Sequence, residues 1–145
     1  MIRYLNLPSI PKKIINNLNY EFDRYDTTVS YLDKTYVWSD DFNQEISLWC
    51  KKNICNTMHW GFQIINGDLP IHKDVGTTLK LIYLIRSGGS EVKTNFFQDD
   101  ETTLTHSYLI PVEQWHILKA DDFHSVSGVH PGQTRFSLTG RIFPL

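Results

Sequence analysis

Two short stretches of this chain carry residue types that could hold a metal ion and an anion. In His72-Lys73-Asp74 an extended backbone puts His72 and Asp74 on one face and turns Lys73 away. In Arg135-Phe136-Ser137-Leu138-Thr139 the same alternation sets Arg135, Ser137 and Thr139 opposite Phe136 and Leu138. Two ligands from the first stretch and His124 from another strand would make a two-histidine, one-carboxylate site. Its three open positions suit non-haem Fe(II). A guanidinium on a buried face needs a carboxylate partner, which either the chain or a ligand must supply.

Strands have to position these groups. Residues 124–129 read as a short strand, His130-Pro131-Gly132-Gln133 as a turn, and Thr134–Phe143 as a second strand. Upstream, His59–Asn66 and Ile71–Val75 read as strands separated by a turn opening at Asn66-Gly67-Asp68. Leu79–Ile85 is nearly continuous apolar sequence, and Val92–Gln98, Leu104–Ile110 and Trp115–Leu118 complete a run of about eight strands at eight-to-twelve-residue spacing. That rhythm predicts a sandwich or double-sheet jelly roll. The N-terminal part has a helical period instead. Residues 9–22 repeat apolar side chains every four positions, with Ser9 as cap and Pro11 in the first turn. A strand is expected at Lys34–Trp38, and a second helix from Asp41 to Lys52 carries Phe42, Ile46, Trp49 and Cys50 on one side. Each amphipathic helix must cover something, and the outer face of a sheet is the natural choice.

A chain of 145 residues that is 41% hydrophobic and 13% aromatic is long enough for one domain with a sizeable core. Sixteen acidic against fourteen basic residues leave no basic stripe of the kind a nucleic-acid backbone requires. No apolar run is long enough for a membrane span and no signal-peptide core is present, so a cytoplasmic location is expected. Cys50 and Cys55 match no usual zinc spacing and read as ordinary reduced thiols. Trp60, Phe62, Phe96, Phe97 and Trp115 read as core, and Lys73 as a rim charge.

The ordered set His72-x-Asp74, His124 fifty residues later, Arg135 eleven further and Ser137 two beyond that resembles the Fe(II)- and 2-oxoglutarate-dependent dioxygenases. The resemblance covers roughly residues 60–143 and is strongest to short, prolyl-hydroxylase-like members. It favours His124 over His116 and His130 as the distal ligand. It implies a double-stranded β-helix (a cupin-like jelly roll) over 59–145, braced by a helical support region over 1–58. It further implies that His72, Asp74 and His124 hold Fe(II). Arg135 and Ser137 would anchor the far carboxylate of 2-oxoglutarate, with Tyr83 as a further co-substrate contact. The halogenating members lack the carboxylate ligand, so Asp74 points to hydroxylation with release of succinate and CO2. The resemblance leans towards a peptidyl or amino-acid substrate. Two other classes fit the same residues: a non-catalytic jelly-roll binding module, and a cupin-like metalloenzyme that does not use 2-oxoglutarate. Arg141 and Lys80 are the next cations in line should the anchor not be Arg135.

Overall fold

The computed structural model describes residues 1–18, 36–39 and 44–142. Their order is β1 (Ile2–Tyr4), α1 (Lys12–Ile15), β2 (Tyr36–Ser39), α2 (Gln44–Asn53), β3 (His59–Ile65), β4 (Leu69–His72) and β5 (Leu79–Arg86). β6 (Lys93–Phe97), β7 (Leu104–Tyr108), β8 (Trp115–Lys119), β9 (His124–Ser127) and β10 (Arg135–Ile142) follow. The chain is mostly β, in two antiparallel sheets. The larger runs β1-β8-β5-β10-β3-β2 and the smaller β4-β9-β6-β7.

The helices lie where their apolar faces require. Ile46 and Cys50 of α2, with Ile10, Ile14 and Ile15 around α1, join one cluster with Trp60, Phe62, Leu81, Trp115, Phe136 and Leu138 of the large sheet. That face of the sheet is therefore covered by helices, as amphipathicity demands. Burial pushes the Cys50 thiol up to about 12, which makes it a packing group. Its other face meets the small sheet through Tyr36, Trp38, Ile65, Leu69 and Val126, and through Ile82, Phe96 and Leu118. No helix among the described residues is long and apolar enough to cross a membrane.

Three expectations need adjustment. The first helix begins after Pro11, which sits at its N-cap position with extended ψ and no side-chain cap from Ser9. Proline disfavours helical geometry at the residue before it, so Ile10 cannot belong to the helix. The helical turn closes at Ile15, and the part of the expectation at 19–22 lies outside the described residues, as do 34–35, 41–43 and 143. The N-terminal region also supplies both edge strands of the large sheet: β1 pairs β8, with Ile2 opposite Leu118, and β2 pairs β3. Finally, β4 ends at His72, so Asp74 follows the strand.

Candidate metal centre

His72 and His124 face each other as register partners of β4 and β9. A register irregularity between Leu69 and His72 lets both of those residues, three apart, face the space between the sheets. Asp74 is brought alongside by its own backbone, whose N–H donates to the Ala120 carbonyl at 2.9 Å. The ligand atoms of His72, Asp74 and His124 all lie within 4.8 Å of one another. The Nε2 atoms of His72 and His124 stand 3.5 and 3.7 Å from Asp74 Oδ1.

The other ring nitrogens define the tautomer. His72 Nδ1 lies 2.7 Å from the Pro70 carbonyl, and His124 Nδ1 lies 2.7 Å from the Asp122 carbonyl. A carbonyl only accepts, so each Nδ1 carries a proton, and the neutral form of each ring has its Nε2 lone pair directed to the centre. Asp74 Oδ1 is buried and faces both ring nitrogens. Two imidazole nitrogens and a carboxylate oxygen converging on one point form a donor set that fits a divalent cation. Burial holds the His124 imidazole at about 4, with the neighbouring His72 acting in the same direction, so it is neutral at pH 7.

Lys80 is the partner that the expected set lacked. It is 3% exposed, and its ammonium contacts Asp74 Oδ2. Burial alone would raise the Asp74 carboxyl, but the His72 contact and the Lys80 ammonium more than offset this and hold it below the usual carboxylate range. Burial likewise pulls Lys80 below its ordinary value, and Asp74 opposes that pull. The ion pair leaves Oδ1 as the oxygen facing the histidines. A single lysine inside the apolar run Leu79–Ile85 was the available signal, because a buried ammonium requires a partner.

Arg135 lies in the same interior. It is 6% exposed and donates from Nη1 to the Ser87 carbonyl at 3.1 Å and from Nη2 to Thr94 Oγ1 at 3.4 Å. Among the described residues no carboxylate pairs with it, and burial brings its pKa down to about 10. Gly88 permits this arrangement. Its φ is +86°, and a Cβ there would stand 3.1 Å from the Arg135 backbone and side chain. Ser137 is buried on the same face, its hydroxyl 3.4 Å from the Gln63 carbonyl. His72, Lys80, His116, His124, Arg135 and Ser137 line one cavity of about 30 Å³. That is room for about one water, so a larger ligand must part the side chains. An open depression of about 1100 Å³ lies over Leu18, Ser87–Ser90 and Gly132–Thr134. Among the described residues its lining includes no histidine or carboxylate.

Tyr83, the expected co-substrate contact, does not join this group. On β5 the residues facing the cavity are Lys80, Ile82 and Leu84. Tyr83 falls on the opposite parity, in the helix-covered cluster, with its ring 4.8 Å from that of Trp115. His116 does face the cavity. It is 2% exposed and is held neutral, at about 4, by burial, but it is not part of the three-ligand group. His130 is exposed in its turn, and Lys73 sits at the rim with its ammonium 4.5 Å from the centre of the Phe123 ring.

No family model matches this chain, and no curated protein matches it.

Proposed function

We propose that the protein is an Fe(II)- and 2-oxoglutarate-dependent oxygenase, a hydroxylase built on a double-stranded β-helix. The strand order supports the fold. From β3 to β10, consecutive strands fall in the large, small, large, small, small, large, small and large sheets, leaving β3-β10-β5-β8 facing β4-β9-β6-β7. That alternation between two facing sheets supports a jelly roll. The observation that carries the function is the buried guanidinium of Arg135, without a carboxylate partner among the described residues, in the cavity that His72 and His124 also line.

His72, Asp74 and His124 would hold the metal. When bound, Fe(II) with 2-oxoglutarate supplies oxidative decarboxylation to succinate and CO2, coupled to hydroxylation of a C–H bond. The protein's own residues do the rest. The backbone carbonyls of Pro70 and Asp122 hold the two imidazoles in the coordinating tautomer. Lys80 restrains one oxygen of Asp74 and leaves the other for the metal. Arg135 offers a planar fork to the distal carboxylate of the co-substrate, and Ser137 adds a hydroxyl beside it. Leu69, Ile82, Leu84, Ile110, Leu118 and Val126 make the surrounding wall apolar, which excludes water and strengthens each charge contact.

Anaerobic titration tests the reading. Fe(II) followed by 2-oxoglutarate is expected to bind one to one and to produce the metal-to-ligand absorption of a chelated 2-oxo acid. Iron binding without that absorption would reject it. A second reading, a metal-free binding module, draws support from one feature: Lys80 already balances Asp74 in a small cavity. That reading predicts no metal uptake.

A further inference from the structure

We infer that Arg141, held on the ring of Trp38, is a second anion site, one that binds a carboxylate group of the molecule being oxidised. The inference deepens the oxygenase reading and rests on it for the role of the site. Arg135 and Arg141 share the inner face of β10, six residues and so about 20 Å apart along the strand. Both positions are tied to the candidate metal centre through neighbouring strands. Arg135 reaches Thr94, which is two residues along β6 from Phe96, the register partner of His124. Arg141 is the register partner of Lys80, whose ammonium contacts Asp74.

The setting of Arg141 is that of a prepared anion receptor. Its guanidinium carbon lies 3.5 Å from the centroid of the Trp38 ring, which fixes the plane of the fork by cation–π stacking. Its Nη2 is 3.5 Å from the Tyr36 hydroxyl, the limit of a hydrogen bond. Its Nε is buried without a partner, and no carboxylate pairs with Arg141 among the described residues. Two more orphaned polar atoms lie on the same inner surface, Thr139 Oγ1 and Gln63 Oε1. They follow β10 and its partner β3 between the two arginines, since Ser137 pairs with Gln63 and Thr139 with Gly61. A hydroxyl can donate to a carboxylate, and an amide oxygen can accept from an amino or hydroxyl group. Together these groups suit a small polar carboxylic acid.

Charge balance points the same way. Asp74 is offset by Lys80, and the distal carboxylate of the co-substrate would offset Arg135. With no carboxylate paired to it among the described residues, Arg141 is left to a charge brought by the substrate.

The test uses the full chain loaded with Mn(II) and saturated with 2-oxoglutarate, which closes the Arg135 site. Butyrate is the probe and butyramide its uncharged match, and the readout is Mn(II)-induced proton relaxation of each. Butyrate is expected to relax and butyramide not. Arg141→Gln should weaken butyrate binding roughly tenfold to a hundredfold, the loss of hydrogen bonds to a charged group. Its affinity for 2-oxoglutarate should stay at the wild-type value. Arg141→Lys keeps the charge but not the fork, and is expected to fall between the two; it also serves if the glutamine variant does not fold. Equal relaxation by acid and amide, or wild-type butyrate binding in both variants, would overturn the site. If the wild type takes up no 2-oxoglutarate, the oxygenase reading fails separately. The butyrate measurement is then made with Mn(II) alone, where Arg141-dependent relaxation keeps the anion site and its absence removes it.

Discussion

The ammonium of Lys80 rests on Oδ2 of Asp74, and both groups are buried between the sheets. The pair joins the large sheet, through β5, to the segment that follows β4 of the small one. A buried pair of this kind is expensive to break from one side, because the remaining charge has no water to return to.

Lys80→Met should therefore destabilise the metal-free protein by about 3–5 kcal/mol. A divalent ion replaces the missing cation, so Zn(II) should stabilise the variant more than it stabilises the wild type. Urea unfolding with and without Zn(II) measures both. Equal stability of the metal-free variant and wild type would show that the pair carries little energy.

Metal uptake is expected to depend on the three converging donors. His124→Ala and Asp74→Ala should lose stoichiometric Fe(II) binding, whereas His116→Ala and His130→Ala should keep it. The His116 variant is the sharper control, since His116 faces the same cavity. Anaerobic isothermal titration reads the stoichiometry, and retention of one tight ion by His124→Ala would contradict the ligand set.

Arg135→Gln should weaken 2-oxoglutarate binding by about 3–5 kcal/mol, or a few hundredfold, by leaving a buried carboxylate unpaired. Ser137→Ala removes one hydrogen bond to a charged group and should cost roughly 1.5–3 kcal/mol. Fe(II) affinity without co-substrate should be unchanged in both. Tyr83→Phe should leave 2-oxoglutarate affinity at the wild-type value, because the ring lies on the other face of the sheet. Titration of the chelate absorption separates the three variants, and isothermal titration of Fe(II) without co-substrate reads the metal affinity.

Stability should fall with acid in a window set partly by His116. Its imidazole is lowered from 6.5 to about 4, mainly by burial, with the Arg135 charge acting in the same direction. The unfolded chain takes up the proton first, so stability is greatest above 6.5 and drops as pH falls towards 4. At 1.36 kcal/mol per unit the difference comes to about 3 kcal/mol. His116→Leu should flatten unfolding free energy against pH across that interval. An unchanged slope would mean that His116 does not titrate there.

The sequence by itself determined the chemistry on offer and much of the strand pattern. Alternation placed Arg135 and Ser137 on one face of β10, and both do line the cavity. The period change after residue 58 marked the strands from β3 to β10, and the helical repeat of α2 identified its buried Ile46 and Cys50. Alternation fixes parity, however, and not which side of a strand faces which layer. β5 is apolar on both faces because helices cover one and the small sheet the other. Only the packing of the layers decides that Lys80 looks inward and Tyr83 outward. The same limit applies to Asp74. Strand alternation would place it beside His72, but β4 has already ended. A backbone hydrogen bond to Ala120, forty-six residues away in the chain, brings its carboxylate to the histidines. β1 was not legible at all: three residues carry too little pattern to signal a strand, and Ile2–Tyr4 is one because the edge of β8 is there to pair with it.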